Sequence, residues 1–440
     1  MTDRLRRAFD GAAMRQTSLR CTRALVVAAL LSSLLACGSG AGGSSSPGAG
    51  GSPTPGTSST ESTGPAASTA AVDGSASAVT CSAPGMTGPN PMPADLTHPS
   101  GTWFGMGIDW AGDSVAAVSS RLGPSHTPAA WVDFVEFPFT AADHANLDAF
   151  YGQVRSVGGI AVLTLMPNGG LSTVTPSAAD DLARLLAGYR GCGVPTLVRF
   201  AHEMNGTWYA WGQDPVAYVA AFRVVASAVH RLAPGSAMLW APNSADGYPF
   251  SGGQYDAKPG TAAFAALDTN HDGRLTAADD PYAPYWPGDD AVDWVGMSLY
   301  HWGNSYPWGA NDVPPPTQFA ELLTGSGGAA GEPASDFYAV YAEGHHKPMA
   351  IVETAALWRP AGGGASELAV KQAWWRQVFS VGTATSYPLI HLIGWFEWRK
   401  LETEVNDVVD WRLTARPDLV RQFLADLPAG WLRFAPASGR

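Results

Sequence analysis

The chain has 440 residues, and its 26 Lys and Arg against 38 Asp and Glu give a formal charge of −12. This acidic balance disfavours a nucleic-acid partner, because such a partner requires a basic surface that replaces phosphate counterions. Hydrophobic residues make up 46% of the chain and aromatic residues 10%, which is enough to bury a large core and excludes global disorder.

Residues 1–37 are typical of an export signal. Arg15, Arg20 and Arg23 precede the apolar run 24–31, which is too short to span a membrane. The segment 34–37, LLAC, then resembles the bacterial lipoprotein signal, and by that resemblance Cys37 carries the lipid. We therefore expect the protein at the extracellular face of the cell membrane, anchored through this lipid alone, or secreted. An ordinary secretory signal with a chance cysteine is the alternative.

Residues 38–96 are interpreted as a linker. All but four of residues 38–80 are Gly, Ser, Thr, Pro or Ala, and a segment of that composition cannot form a core. Outside the signal, Cys81 and Cys192 are the two remaining cysteines. In an exported protein they permit one disulfide, and whether they pair stays open at this point.

Residues 97–435 alternate short β-rich runs with helical segments, which is the pattern of βα units around a parallel sheet. Helices are indicated at Asp181–Tyr189, Val216–Leu232 and Pro417–Leu427. Eight strands with intervening helices predict a (β/α)8 barrel. The predicted strands are Trp103–Trp110, Trp131–Phe137, Ile160–Met166, Thr196–His202, Ala237–Ala241, Val292–Tyr300, Met349–Thr354 and Ile390–Phe396.

Two glutamates stand at the C-terminal ends of predicted strands, where the chemistry of such a barrel lies. Glu203 follows the fourth strand, and Glu353 ends an apolar run in the seventh, where an unpaired charge would be costly. Glycoside cleavage needs a carboxyl pair of this kind, and the many tryptophans suit sugar binding because indole faces pack on pyranose rings. The alternative is that each glutamate is a structural ion-pair partner.

The segment Arg199–Gly212 looks like the acid/base segment of glycoside hydrolase family 26, and Met349–Thr354 resembles its nucleophile strand. By that resemblance Glu203 is the acid/base and Glu353 the nucleophile of a retaining endo-β-glycanase that acts on β-1,4-mannan-type polysaccharide. The resemblance also implies side chains that position the two carboxylates and residues that contribute to the cleft around the acid. It further implies that Trp395 forms the floor of the −1 sugar subsite. These residues are Arg199, His202, Asn205, Trp208, Trp211, Tyr300 and Trp395.

The third strand departs from the family pattern. Typical mannanases of the family carry a Trp-His pair at its end, where this chain reads Leu165-Met166-Pro167-Asn168. The mannan assignment therefore stays open against a β-1,3-1,4-glucanase on the same scaffold. A lipoprotein that binds polysaccharide without cleaving it is the non-enzyme alternative. We expect a monomer whose partner is the polysaccharide substrate.

A calcium site is predicted in the connection between the fifth and sixth strands. Segment 268–279 has the spacing of an EF-hand loop, with glycine at position 6 and oxygen donors at the ligand positions. The predicted ligands are Asp268, Asn270, Asp272, Arg274 through its carbonyl, and Asp279. We expect a structural Ca²⁺ that stabilises this long connection, with no cofactor for catalysis. The alternative is a polar surface turn that binds nothing.

Overall fold

The computed structural model describes residues 94–306, 308–326 and 335–436. Eight parallel strands follow one another around a closed barrel, because β1 pairs with both β2 and β8. This confirms the predicted (β/α)8 barrel. The strands are β1 Thr102–Ile108, β2 Ala130–Glu136, β3 Ile160–Met166, β4 Thr196–Phe200, β5 Ala237–Trp240, β6 Trp294–Ser298, β7 Met349–Thr354 and β8 Ile390–Glu397.

Helices lie between successive strands of the barrel, and several begin at a side chain that accepts a hydrogen bond from the first turn. Thr175, Asp214 and Ser366 are such N-caps. The helices are α1 Val115–Leu122, α2 Ala141–Ser156, α3 Pro176–Gly191, α4 Pro215–Leu232, α5 Ala262–Leu267, α6 Gln318–Thr324, α7 Glu367–Val378, α8 Val381–Ser386 and α9 Pro417–Asp426.

Three further strands are short. A hairpin of β9 (Arg399–Glu402) and β10 (Asp407–Asp410) follows β8 directly, and β11 (Leu432–Arg433) adds to β1 in parallel. The hairpin therefore begins at the C-terminal end of the barrel, the end at which polar residues were predicted to gather. No helix in the described part of the chain is long and apolar enough to cross a membrane.

The core has two layers because successive side chains of a strand point to opposite faces. Inward-facing residues such as Trp103 and Trp294, whose rings stack at 6.0 Å, fill the barrel. Outward-facing residues pack between the strands and the helices. Leu96 is buried in the inner layer, and its carbonyl accepts a 2.8 Å hydrogen bond from Trp294 Nε1. Leu96 therefore belongs to the folded part, although the predicted linker included it. A single apolar residue does not change the composition of a segment enough to mark where the linker ends.

The predicted signal, the predicted lipidation site Cys37 and residues 38–93 of the predicted linker lie outside the described residues. Cys81 also lies outside them. Cys192, at the end of α3, is disulfide-bonded.

Candidate active site

Glu353 owes its orientation to an irregularity in β7. Ala350 and Val352 pack inside the barrel, and Met349 and Ile351 pack outside it, as strict alternation requires. The pairing of β7 shifts register against β8 after Ile351 and against β6 at Ser298. Such a bulge changes the face to which the next side chain points. As a result Glu353 joins Val352 on the inner side, where it is 8% exposed at the C-terminal end of the barrel.

The backbone after β4 is what places Glu203. Ala201 and Glu203 have positive φ values of 46° and 55°, a conformation that costs energy in residues other than glycine and is concentrated at functional sites. The Glu203 amide donates a 3.0 Å hydrogen bond to the carbonyl of Ala241, at the end of β5. This turn directs the carboxyl into the end of the barrel, where the residue is 9% exposed.

One arginine connects the groups around Glu353. Arg199 faces inward on β4 and is wholly buried, and its Nη1 forms an ion pair with the Glu353 carboxylate. Its Nη2 donates a 2.7 Å hydrogen bond to Ser298 Oγ, at the end of β6. Tyr300 donates its hydroxyl to the other Glu353 oxygen at 2.8 Å. Both oxygens of the Glu353 carboxylate are thus oriented by side chains of neighbouring strands.

Glu203 is held differently. Burial, and next the nearby charge of Glu353, raise the pKa of Glu203 above its ordinary value, against the opposing effects of Arg199, Ser298 and Trp208. Trp208 donates its indole N–H to Glu203 Oε2 at 2.9 Å. Gly206 permits this approach, since a Cβ there would collide with the Trp208 ring. One carboxyl of the site is ion-paired with Arg199 and the other has a raised pKa, which suits a nucleophile and a general acid.

His202 is buried beside this pair and is neutral. Burial, and then the Arg199 charge, lower the pKa of His202 well below its usual value. Its Nε2 lies 3.2 Å from the hydroxyl of Tyr209, a residue that the sequence analysis did not single out. Trp211 stacks on Tyr209 with ring centroids 4.4 Å apart and donates its indole N–H to the His202 carbonyl at 2.7 Å. These contacts fix the segment that carries Glu203.

Two residues expected to line the cleft are buried beneath it instead. Trp211 has no exposed surface and supports His202 from behind. Asn205 is also wholly buried, and its side chain bonds the backbone of Asn243 twice, as donor and as acceptor, at 2.9 Å each. It ties the segment after β4 to the segment after β5. Both residues therefore affect the site by holding its backbone in place. A sequence motif does not distinguish a residue with this role from a residue that contacts the sugar.

Trp395 does not form the floor of the cleft. It points outward from β8, is 0% exposed, packs against Phe379 and donates its N–H to the carbonyl of Trp411 at 3.0 Å. The next residue, Phe396, faces inward beside Tyr300, with ring centroids 5.8 Å apart. Trp398, partly exposed, stacks on Phe396 at 5.7 Å with an interplanar angle of 7°. The alternation of side chains along a strand explains these orientations. Leu392 and Gly394 face inward, so residue 396 also faces inward and residue 395 faces outward.

The side chains of segment 268–279 bond to the backbone of their own loop. Asp268 accepts hydrogen bonds from the amides of Asp272 and Gly273 at 3.1 and 2.9 Å, and Asp279 accepts one from Thr276 at 2.8 Å. Gly273 has the positive φ of 80° that its turn requires. Asn270 also accepts from the Asp272 amide, at 2.9 Å.

Among the residues that the structure describes, no group of three or more His, Cys, Asp or Glu side chains is arranged to hold a metal ion. The oxygen-rich donor set of segment 268–279 is of the type that Ca²⁺ takes. Calcium binding there stays a prediction.

Comparison with known proteins finds a distant relative in sequence and similar folds among solved structures. No protein-family model matches the chain. Endoglucanase H of Acetivibrio thermocellus is 22% identical over 256 residues, which are 57% of this chain and 22% of that protein, so the chain spans about a fifth of this curated relative.

Solved structures of mannanases are similar in fold. A double mutant of Cellulomonas fimi endo-β-1,4-mannanase is 15% identical with a TM-score of 0.50, over 78% of this chain and 74% of that one. The catalytic domain of the family 26 endo-β-1,4-mannanase of Bacillus sp. JAMB-750 is 16% identical with a TM-score of 0.48, over 79% and 93%. The chain thus has a (β/α)8 barrel similar to that of the Cellulomonas fimi mannanase.

Proposed function

We propose that the protein is a retaining endo-β-glycanase of glycoside hydrolase family 26, with β-1,4-mannan-type polysaccharide as its substrate. The observation that carries the proposal is the pair Glu203 and Glu353, gathered at one end of the barrel around Arg199. One carboxyl of the pair is ion-paired and the other has a raised pKa. A non-catalytic binding protein has no need of two carboxyls in these contrasting settings.

The proposed reaction proceeds in two displacements. In the first, Glu353 attacks the anomeric carbon while Glu203 donates its proton to the departing glycosidic oxygen, which leaves a glycosyl ester on Glu353. In the second, Glu203 takes a proton from water, and that water attacks the anomeric carbon and releases Glu353. Tyr300 and Arg199 orient the Glu353 oxygens for the attack. Two inversions at one carbon retain its configuration.

The surroundings of the pair favour an uncharged sugar chain. Phe396 and the partly exposed Trp398 form an aromatic wall next to Tyr300, and aromatic faces of this kind pack on sugar rings. The nearby cations are already paired with carboxylates of the protein. They are Arg199 with Glu353, and Lys400, which lies over the Phe396 ring, with Glu402 at 3.2 Å. This pairing favours a neutral polysaccharide over one rich in uronic acids.

Mannan is preferred to mixed-linkage glucan because of the likeness in fold to the Cellulomonas fimi endo-β-1,4-mannanase. The β-1,3-1,4-glucanase alternative is favoured by the name of the distant relative, endoglucanase H, and by the missing Trp-His pair after β3. Attachment to the outer face of the cell membrane through Cys37 is part of the proposal and rests on the segment 34–37 alone.

The test is incubation of the purified protein with mannan, glucomannan and barley-type β-glucan, with the anomeric form of the first products followed by NMR. Mannan cleavage with β-configured products is the expected result. Products of inverted configuration would refute the two-step reaction, and cleavage of β-glucan alone would favour the alternative substrate.

Two variants assign the carboxyls. Glu353→Ala is expected to abolish turnover, because no other group forms the glycosyl ester. Glu203→Ala is expected to lose about 10²–10⁴-fold in rate on polysaccharide while cleavage of activated aryl glycosides, whose leaving group needs no proton, is largely spared. Equal losses on both substrates would contradict the acid role of Glu203.

A further inference from the structure

Trp411 packs against Tyr300, the residue that donates its hydroxyl to Glu353. The two rings meet edge-to-face, with centroids 5.3 Å apart and an interplanar angle of 61°. Trp411 also meets the ring of Trp302 edge-to-face, with centroids 5.0 Å apart. Only 1% of Trp411 is exposed, so its ring supports Tyr300 but is not available to a sugar.

The backbone of Trp411 is fixed by β8 and by the residue that follows it. The Trp411 amide donates to the carbonyl of Trp398 at 2.9 Å, and the Trp411 carbonyl accepts from Trp395 Nε1 at 3.0 Å. These two bonds hold the main chain of Trp411 beside the aromatic wall. They do not determine the direction in which its indole ring points, because that direction depends on the side-chain torsions.

Glu402, the last residue of β9, supplies the acceptor that orients the indole ring. It is 5% exposed, and its Oε1 accepts a 2.7 Å hydrogen bond from Trp411 Nε1. Its Oε2 pairs with Lys400 Nζ at 3.2 Å. A buried carboxylate costs free energy unless it has such partners. Because both oxygens are in use, the carboxylate holds one orientation and the indole N–H points at it.

We propose that Glu402 and Trp411 are positioning residues for the nucleophile, which act by holding the Tyr300 hydroxyl on Glu353. The inference rests on the proposed function, in which Glu353 attacks the anomeric carbon. The Glu402 carboxylate fixes the indole of Trp411, and the indole fixes the ring of Tyr300. The Tyr300 hydroxyl then donates to Glu353 Oε2 at 2.8 Å. In this way the hairpin of β9 and β10 supports the reaction from outside the cleft.

The experiment measures kcat and KM of three variants on the polysaccharide that the wild type cleaves. Glu402→Leu removes the acceptor, and Trp411→Phe removes the donor while it keeps a ring against Tyr300. Each is expected to lower kcat by about 10–100-fold with little change in KM, because both residues are buried away from the sugar and misplaced reacting groups slow the chemical step. If Glu402→Leu does not fold, Trp411→Phe makes the same test.

Glu402→Gln keeps an acceptor oxygen for the indole and is expected to retain more of the wild-type kcat than Glu402→Leu does. A kcat that stays at the wild-type value in Trp411→Phe, or a loss that appears only in KM, overturns the proposal.

Trp375→Phe is the matched control. Trp375 is also 1% exposed, and its indole N–H also donates to a carboxylate, that of Asp426 at 2.9 Å, where α7 meets α9. This variant is expected to lower the melting temperature and to leave kcat unchanged. An equal loss of kcat in Trp375→Phe and Trp411→Phe would mean a general effect of lost stability and would overturn the proposal.

A Tyr300→Phe background tests the path through Tyr300. Without the Tyr300 hydroxyl, the addition of Trp411→Phe is expected to lower kcat no further, because the contact that Trp411 maintains is already absent. Losses that multiply in the double variant would mean that Trp411 acts independently of Tyr300, which contradicts the proposal.

The wild type separates this inference from the proposed function. If it cleaves none of the three polysaccharides, the proposed function fails, and the role of Trp411 is then decided by crystal structures of the wild type and of Trp411→Phe. A Tyr300 hydroxyl that has moved away from Glu353 Oε2 in the variant supports the inference. The same contact in both proteins overturns it.

Discussion

Replacement of Trp208 by phenylalanine tests the electrostatic setting of Glu203. The change removes the indole N–H that donates to Glu203 Oε2 at 2.9 Å. It keeps an aromatic ring against Phe250, which the indole contacts edge-on with centroids 5.1 Å apart. Because the donor favours the charged carboxylate, its loss is expected to raise the pKa of Glu203 further. Glu203 must be protonated in the first displacement, so the alkaline limb of kcat/KM moves to higher pH.

The size of the shift follows from the bond that is lost. A hydrogen bond to a charged group contributes about 1.5–3 kcal/mol, and one pKa unit corresponds to about 1.36 kcal/mol. If water did not replace the lost donor, the pKa of Glu203 would therefore rise by about one to two units. Trp208 is partly exposed, so water replaces part of the lost donor. We expect a shift of about one unit.

Trp211→Phe is the matched control for this measurement. It also removes an indole N–H, but that group donates to the backbone carbonyl of His202 and not to a carboxylate. We expect Trp211→Phe to lower the free energy of unfolding by about 1–3 kcal/mol, since a buried carbonyl loses its partner, and to leave the alkaline limb in place. Equal shifts in the two variants, or no shift in Trp208→Phe, would refute the assignment of Trp208.

Three further predictions address stability, calcium and the anchor. Lys371 is wholly buried and donates to one oxygen of Glu367 at 2.6 Å, while Arg416 pairs with the other oxygen at 3.3 Å. Lys371→Met is therefore expected to cost about 1–3 kcal/mol in denaturant unfolding, because one buried carboxylate oxygen loses its donor; no measurable loss would contradict this. Chelation is expected to lower the melting temperature of the wild type but not of Asp268→Ala or Asp272→Ala, and a wild type indifferent to both chelator and added Ca²⁺ would exclude the site. Cys37→Ser is expected to release the protein from the membrane fraction with unchanged specific activity, and continued retention would mean a different anchor.

Local pattern alone predicted the order of the eight barrel strands and the bounds of two of them. β3 and β7 have the bounds expected from their apolar runs, and α4 begins one residue earlier than expected, at Pro215. This succeeded because apolar runs of strand length and helical periodicity are properties of neighbouring residues, which a single sequence displays in full. The same reasoning placed Glu203 and Glu353 at strand ends, and thus at one end of the barrel.

The sequence could not decide which side chains reach the cleft. Trp395 and Trp398 are equally aromatic and lie three residues apart, yet the first is buried behind β8 and the second is partly exposed. A barrel strand has two faces that are both buried, so composition does not reveal which face a residue takes. Asn205 and Trp211 lie in the segment after β4, where the motif does not show that their side chains bond to backbone.

By itself, the sequence determined the class of fold and the two carboxyls that the proposed chemistry needs. The tertiary structure decided how those carboxyls differ. A bulge in β7 turns Glu353 inward, and β4 and β6 bring Arg199 and Ser298 together from 99 residues apart. The ion pair of Glu353 and the raised pKa of Glu203 arise from these contacts and from burial. Distances and dielectric environment set such properties, and both exist only once distant segments have packed against one another.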